Sequence, residues 1–275
     1  MNIILINHYA GSLNMGMEYR PYYMAKRWVN AGNNVTIISA SYSHLRIKNP
    51  IAKQDFCEEV IDGINYCYIK TPAYEQNDIK RYINVKTFTN KLYFCAGKIA
   101  LKYKPDIVIA SSTYPFDITA AVKISKISRS KLIFELHDLW PLSQIELYGY
   151  SPCNPFILYI QHYTNKAFMS CDKVVSILPD ADKYMLENGF DVSKFIHIPN
   201  GIEITTDENI KPPQKHIDFI KRYKAKNMFV VMYLGGFAKA NAVDDFVAAA
   251  KLTDDNVIFI AVGNGANKIN LKRYV

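Results

Sequence analysis

The chain has 275 residues, 49% of them hydrophobic and 21% charged, a balance that fits one large or two ordinary packed domains and excludes a disordered tail or a collagen-like repeat. Its net charge of +8 and pI near 9.0 point to an anionic partner, whether nucleic acid, a phosphorylated substrate or an acidic membrane surface, and charge alone does not choose among them. The five cysteines are odd in number and include no C-x-x-C pair, which argues against a disulfide framework or a structural zinc site and reads as reduced, mostly buried thiols.

The N-terminal MNIILINHYA lacks the charged start and small-residue cleavage site of a secretion signal, and no apolar run approaches the roughly eighteen residues of a membrane span. The expected location is therefore the cytoplasm. NIILIN (residues 2–7) reads as a strand. A loop leads from it into a helix with Pro21 in its first turn, an apolar stripe through Tyr23, Met24, the stem of Arg27 and Trp28, and Gly32 as its stop. NVTIIS (34–39) completes an opening β-α-β unit. Asp62-Gly63, between two alternating runs, signals a hairpin. Residues 78–104 read as one long helix closed by Pro105.

Strands are expected at 106–111, 131–136, 173–178 and 195–199, with helices near 116–128, 155–169 and 180–188 between them. Apolar strands alternating with helices predict an α/β fold, a parallel sheet covered on both faces. Residues 200–216 are polar with two prolines and read as a linker. After a short helix a second β-α-β begins with MFVVMYLGG, AVDDFVAAAKL and NVIFIAVGNG. The expected division is a Rossmann-like domain over 1–200, a linker and short helix over 201–227, and a partial second Rossmann-like domain over 228–275, too short to close a core easily without more chain or a partner.

In such folds the ligand crevice lies where strands end and helices begin. The first such loop carries Gly11 and Gly16, five apart, so the G-x-G-x-x-G fingerprint of nicotinamide and flavin enzymes is missing. The loop is either a flexible glycine segment that brings backbone N–H groups to an anionic or sugar ligand, or an ordinary connection. Glu18 suits a helix start on electrostatic grounds alone, whereas Arg20 beside the loop is a candidate anion contact. Ser111-Ser112-Thr113-Tyr114-Pro115 follows another strand. Ser112 there either hydrogen-bonds a sugar or caps the helix.

FELHDLWP (134–141) places His137 and Asp138 at the end of a strand expected to be central. A histidine there can exchange a proton or hold a substrate hydroxyl, or it is structural beside an Asp138 cap. On the long helix, at ~100° per residue, Lys80, Lys91, Lys98 and Lys102 share one stripe, flanked by Ile83, Phe94 and Leu101. That edge fits either an anionic bilayer or a solvated lysine face.

The ordered set of the glycine loop, RPYYMAKRWVNAGNNVTIIS, KPDIVIASS, IFELHDLWP, DKVVSILP, FIHIPNGI and VVMYLGGFAKANAVDDFVAAA resembles the GT-B glycosyltransferases of family 4 over essentially the whole chain, and in particular bacterial transferases of the N-acetyl-L-fucosamine type that build O-antigen or capsule. The resemblance implies transfer of a sugar from a UDP-linked donor with retained anomeric configuration. No metal and no cofactor is implied beyond that nucleotide-sugar co-substrate. The acceptor would be lipid-linked or a saccharide, at the inner membrane surface, with helix 78–104 as the membrane contact. By the same likeness the N-terminal domain holds the acceptor and the C-terminal one the donor. His137 matches the family's histidine that contacts the donor sugar, Gly11 and Gly16 match the flexible loop bordering the donor phosphates and the acceptor, and Asn200-Gly201 matches the exit into the linker.

Two departures stand out. The family's diphosphate clamp, an Arg after a glycine and a Lys further on, reads Gly236 and Asn241 here, leaving Gly235, Gly236 and the displaced cation Lys239 as donor-side candidates. The family's paired glutamates lie beyond the last residue, so a truncated donor domain is expected. The alternative reading is a non-catalytic, membrane-associated binding module or an inactive gene fragment. Nucleic-acid binding is not expected, because the basic residues are spread over several helices without a recognised motif.

Overall fold

The computed structural model describes residues 1–75, 79–204, 211–265 and 267–272. Asp78, the expected start of the long helix, residues 205–210 of the expected linker, and residues 266 and 273–275 of the expected second domain lie outside the described residues. The chain divides into two compact units, Met1–Gly201 and Ile202–Val275.

In the first unit the strands are β1 (Asn2–Ile6), β2 (Asn34–Ala40), β3 (Cys57–Ile61), β4 (Ile64–Ile69), β5 (Ile107–Ala110), β6 (Lys131–Leu136), β7 (Lys173–Ser176) and β8 (Phe195–His197). They form one sheet in the order β3-β4-β2-β1-β5-β6-β7-β8, parallel throughout except for β3. β3 and β4 are the hairpin expected from Asp62-Gly63. Both turn residues take positive φ, +50° and +78°, the twist that a two-residue hairpin needs and that glycine supplies without strain. The chain runs outward from β1 through β2 to β4, then returns to lay β5 on β1's other side. The strand order therefore reverses between β1 and β5, where α/β sheets open a ligand crevice.

The helices are α1 (Arg20–Asn30), α2 (Ile79–Phe94), α3 (Ala96–Tyr103), α4 (Ile118–Ser128), α5 (Leu142–Tyr148), α6 (Pro155–Ser170) and α7 (Ala181–Glu187). Alternation along β1 sorts the core into two layers. Ile4 and Ile6 pack with Phe88, Leu92 and Ile99 of α2 and α3 and with Ile124 of α4, while Ile3 and Leu5 face Tyr22 and Ala25 of α1 on the opposite side. Burying a side chain such as Phe88 fully is worth about 1.5–3 kcal/mol. On α1 the buried residues are Pro21, Tyr22 and Ala25. Tyr23 and Trp28 of the expected stripe are half-buried against the same core, while Tyr22 reaches the turn of the hairpin and donates its hydroxyl to Asp62 Oδ2 (2.6 Å).

The single helix expected over 78–104 is two helices that part at Cys95, whose φ and ψ of −92° and 4° depart from helical values. The lysine stripe is also partly neutralised. Lys91 pairs with Asp55 (2.8 Å) and Lys102 with Glu58 (2.7 Å). Of the five free cysteines, Cys67 and Cys171 are buried, Cys57 and Cys95 half-buried and Cys153 exposed, so fewer are interior than composition suggests. No described helix is long and apolar enough to cross a membrane.

The second unit holds α8 (Gln214–Lys224), β9 (Phe229–Leu234), α9 (Val243–Ala250), β10 (Val257–Val262) and α10 (Lys268–Leu271), with β9 and β10 paired in parallel. Its buried core among the described residues is Phe237, Val243 and Leu271, while Phe229, Met232 and Leu234 of β9 remain exposed.

Candidate active site

The C-terminal ends of β1, β5 and β6 converge on a buried polar cluster. Glu135, the penultimate residue of β6 and 4% exposed, is its hub. A carboxylate this deep must be paired. Oε1 accepts from Arg20 Nε (2.9 Å), Oε2 accepts from the Ser111 hydroxyl (2.5 Å), and His137 Nε2 lies 3.6 Å from Oε2 and 3.2 Å from Ser111 Oγ. Ser111 is anchored in turn by Asn7, whose amide donates to its carbonyl (2.5 Å). Residues from the ends of three strands and the start of α1 thus form one connected network.

The charges in this network support one another. Burial would raise the Glu135 carboxyl, but the hydrogen bond and charge of His137, the Arg20 guanidinium and the Ser111 hydroxyl outweigh it and hold the group down at about 2. Burial would likewise lower His137, and the hydrogen bond and charge of Glu135, with Glu18 adding, raise it above the ordinary imidazole value instead. His137 is thereby disposed to be a cation and hydrogen-bond donor. Its contacts among the described residues run through Nε2, which leaves Nδ1 as the ring atom for a ligand. Burial raises the nearby Glu18 carboxyl.

Arg20 stands where sequence placed it, but its guanidinium is occupied. Besides Glu135 it donates to the carbonyls of Ile198 (2.9 Å) and Pro199 (3.0 Å) and to Asn200 Oδ1 (3.1 Å). It straps the start of α1 to the segment leaving β8, and the anion it contacts is the Glu135 carboxylate of the protein itself. Asn200 enters here through its side chain. Ser112 also has an internal role. Its hydroxyl accepts from the His8 amide (3.1 Å) and its own amide donates to Asp117 Oδ2 (3.2 Å), a carboxyl that burial pushes up to about 7. Asp138 is exposed beside His137, and both line a small pocket with Ser112, Tyr114 and Trp140.

The glycine loop is packed on itself. Gly16 donates its amide to the Ser12 carbonyl (3.0 Å), Gly11 takes the Tyr66 hydroxyl on its carbonyl (2.7 Å), and a Cβ at Gly11 would lie 2.0 Å from the Gly16 carbonyl oxygen. Close approach of backbone to backbone therefore requires Gly11, and a φ of +85° favours glycine at 16. Arg46 fixes the neighbouring loop. It is 5% exposed and donates to the carbonyls of Ala10 (2.6 Å) and Ala40 (2.8 Å), and burial lowers its pKa only to about 10, so it stays charged. His8, beside it and bonded to the Tyr114 hydroxyl, is held well below the usual imidazole range by burial and then by Arg46.

In the second unit, Gly235 and Gly236 follow β9. Gly236 accepts on its carbonyl from Tyr233 OH (2.8 Å) and Asn241 Nδ2 (2.7 Å). Asn241, at the expected Lys position, thus ties the turn together. Gly235 leaves room for the Tyr233 hydroxyl, which a Cβ would meet at 2.7 Å, and Lys239 opens the short turn 239–241.

The structure places His137 in the Glu135 cluster and Asp138 beside it; the sequence pattern marked Ser111 only as one of a run of hydroxyls and gave no role to Glu135, Asn7 or Arg46. One signal was present: a glutamate inside the otherwise apolar KLIFEL of a central strand demands a buried partner.

Residues 15–206 match the family model for Glycosyltransferase Family 4. No curated protein matches the sequence. Among solved structures, the chain is similar to HepE of Anabaena in complex with UDP and glucose, with a TM-score of 0.60 at 14% identity over 100% of this chain and 64% of that one. It is also similar to the lipopolysaccharide outer core galactosyltransferase WaaB in its apo form (TM-score 0.56, 15% identity, 100% of this chain and 64% of that one). A glycosyltransferase from Rickettsia africae gives 0.51 at 18% identity, covering 98% and 70%. At these identities the likeness is one of fold, the GT-B architecture, and the chain spans 64% of the length of HepE and of WaaB.

Proposed function

The chain belongs to glycosyltransferase family 4, and on that premise we propose that it serves transfer of a sugar from a UDP-linked donor, with retained anomeric configuration, to a lipid-linked or saccharide acceptor in surface polysaccharide assembly. The first unit is the acceptor side and the second contributes to the donor side. UDP as the nucleotide is supported by HepE, which was solved with UDP and glucose, and a surface-polysaccharide acceptor by WaaB, a lipopolysaccharide galactosyltransferase.

The observation that carries the reading is the buried Arg20–Glu135–His137–Ser111 network at the reversal of strand order. Glu135 raises the His137 pKa and so shifts the imidazole toward its protonated, hydrogen-bond-donating form. Its Nδ1–H would hydrogen-bond an oxygen of the donor sugar and stabilise negative charge as the glycosidic bond to diphosphate breaks. Glu135 does not touch substrate in this scheme. It positions His137 and sets its charge, while Ser111 and Asn7 hold Glu135 in place. Gly235, Gly236 and Lys239 would border the donor diphosphate, although Gly236 and Asn241 stand where the family keeps its cationic clamp. The exposed Ile83, Phe94 and Leu101 beside Lys80 and Lys98 would rest on an anionic membrane face of the cytoplasm.

The test is calorimetric titration of UDP into the protein, followed by incubation with radiolabelled UDP-sugars and membrane lipid extract. UDP binding and label transfer that His137→Ala lowers by about 10² or more support the reading, since one oxyanion donor is worth about that factor. Absence of UDP binding together with flotation on anionic vesicles would replace it with a membrane-binding module.

A further inference from the structure

Beside the His137 pocket lies a second cavity, of about 190 Å³, many times the 10–15 Å³ that one water needs. Tyr9, Tyr114, Phe116 and Trp140 form its walls, Arg81 and Val85 of α2 close one side, and Tyr82 and Phe156 stand at the rim. Tyr114 and Trp140 also line the His137 pocket, so the two spaces adjoin within the first unit.

The wall offers an apolar surface and little hydrogen bonding. The Tyr9 hydroxyl already takes Arg81 Nη2 (3.1 Å), and the Tyr114 hydroxyl is bonded to the buried His8. A sugar ring inserted here would leave several hydroxyls without partners, each costing about 1–3 kcal/mol. An apolar chain loses no hydrogen bonds and gains about 25 cal/mol for each Å² it buries. Arg81 is the one cationic side chain lining the cavity among the described residues, and its guanidinium sits 5.7 Å from the centre of the Tyr9 ring. It supplies positive charge and planar donors suited to phosphate. Along α2 the exposed apolar surface continues outward from Tyr82 to Ile79 and Ile83.

We propose that this cavity receives the apolar chain of an acceptor that bears a phosphate next to that chain, with Arg81 on the phosphate. The assignment rests on the reading of the first unit as the acceptor side. It places the chain's anchor one wall, Tyr114 and Trp140, away from His137.

Trp28 and Trp140 are the two tryptophans, so Trp28→Phe leaves emission from Trp140 alone. In that background, geranyl phosphate and decyl phosphate are titrated against geraniol, inorganic phosphate and glucose 1-phosphate. The expected result is a saturable change in Trp140 emission with the alkyl phosphates, at least tenfold weaker with each of the other three. Preference for the geranyl ester would mark an isoprenoid source and preference for the decyl ester a straight-chain lipid, and either supports the site. Arg81→Gln should weaken alkyl phosphates about tenfold and leave geraniol unchanged. Val85→Phe, which fills the cavity, should abolish the response. Should Val85→Phe lower the melting temperature, the rim variant Tyr82→Ala replaces it, with weakening of severalfold expected. Glucose 1-phosphate as strong as the alkyl phosphates, or no saturable change with any ligand, would overturn the proposal. UDP titrated into the same protein separates the two failures. UDP binding without an alkyl phosphate response refutes this site alone, and the converse refutes the donor reading alone.

Discussion

Replacing Glu135 by Gln removes one charge from the cluster and keeps its shape. The neutral amide can still accept from Ser111, and Arg20 keeps its three oxygen acceptors at Ile198, Pro199 and Asn200, but its buried charge loses its carboxylate. Removing one partner of a buried ion pair costs about 3–5 kcal/mol, and the surviving bonds of Arg20 place the expected cost near the lower end, about 3 kcal/mol. At about 2–4 °C per kcal/mol for a unit of this size, unfolding of the first unit should come roughly 6–12 °C earlier. The same change removes the main group that raises His137, leaving Glu18 alone against the burial and the Arg20 charge that lower it. The imidazole pKa should therefore fall from its raised position, a shift that packing loss alone would not produce. Differential scanning calorimetry reads the first quantity and histidine proton NMR across a pH titration the second. The surface pair Lys102–Glu58 serves as control, because Glu58→Gln should cost under about 1 kcal/mol. A His137 pKa that stays raised in Glu135→Gln would refute the electrostatic account, and a stability change as small as the control's would refute the role of Glu135 as hub.

The cluster also sets a pH window. The Glu135 contribution, from a lowered pKa, is complete above its unfolded value of ~4.3 and lost as pH falls toward about 2, whereas that of His137, from a raised pKa, is complete below ~6.5 and lost as pH climbs through its folded value. Denaturation followed by circular dichroism should thus show this increment greatest near pH 4.5–6.5 and absent in Glu135→Gln. Gly11→Ala should cost more than about 3 kcal/mol, since its Cβ meets a backbone carbonyl, while Gly32→Ala, with open space but a φ of +83°, should cost about 1 kcal/mol in urea titrations; equal costs would contradict the packed loop. Burial pushes the thiols of Cys67 and Cys171 up to about 11, so maleimide at pH 7 should label Cys153 first and reach those two only in denaturant, as mass mapping can check.

Much of the architecture was written in local pattern. Continuous apolar runs, Pro21 and Gly32 around α1, and Asp62-Gly63 between two alternating strands fix element types by backbone sterics and hydrophobic patterning, which act over a few residues. His137 and Asp138 were legible for the same reason, as polar residues following an apolar strand. Other features depend on residues far apart in the chain. The break at Cys95 hides within an unbroken helical periodicity. Arg20 reads as an exposed anion contact until β8 brings the Ile198 and Pro199 carbonyls beside it, 178 and 179 residues along the chain. Glu135 announces only that it needs a partner, and the sheet order decides that the partners are Arg20, Ser111 and His137. The sequence by itself determined most of the strands and helices, though it joined α2 to α3 and did not mark α5. Only tertiary structure decided which charges meet in the crevice, because the worth of an ion pair depends on burial and on distances of a few ångströms, neither of which is set by neighbours in the chain.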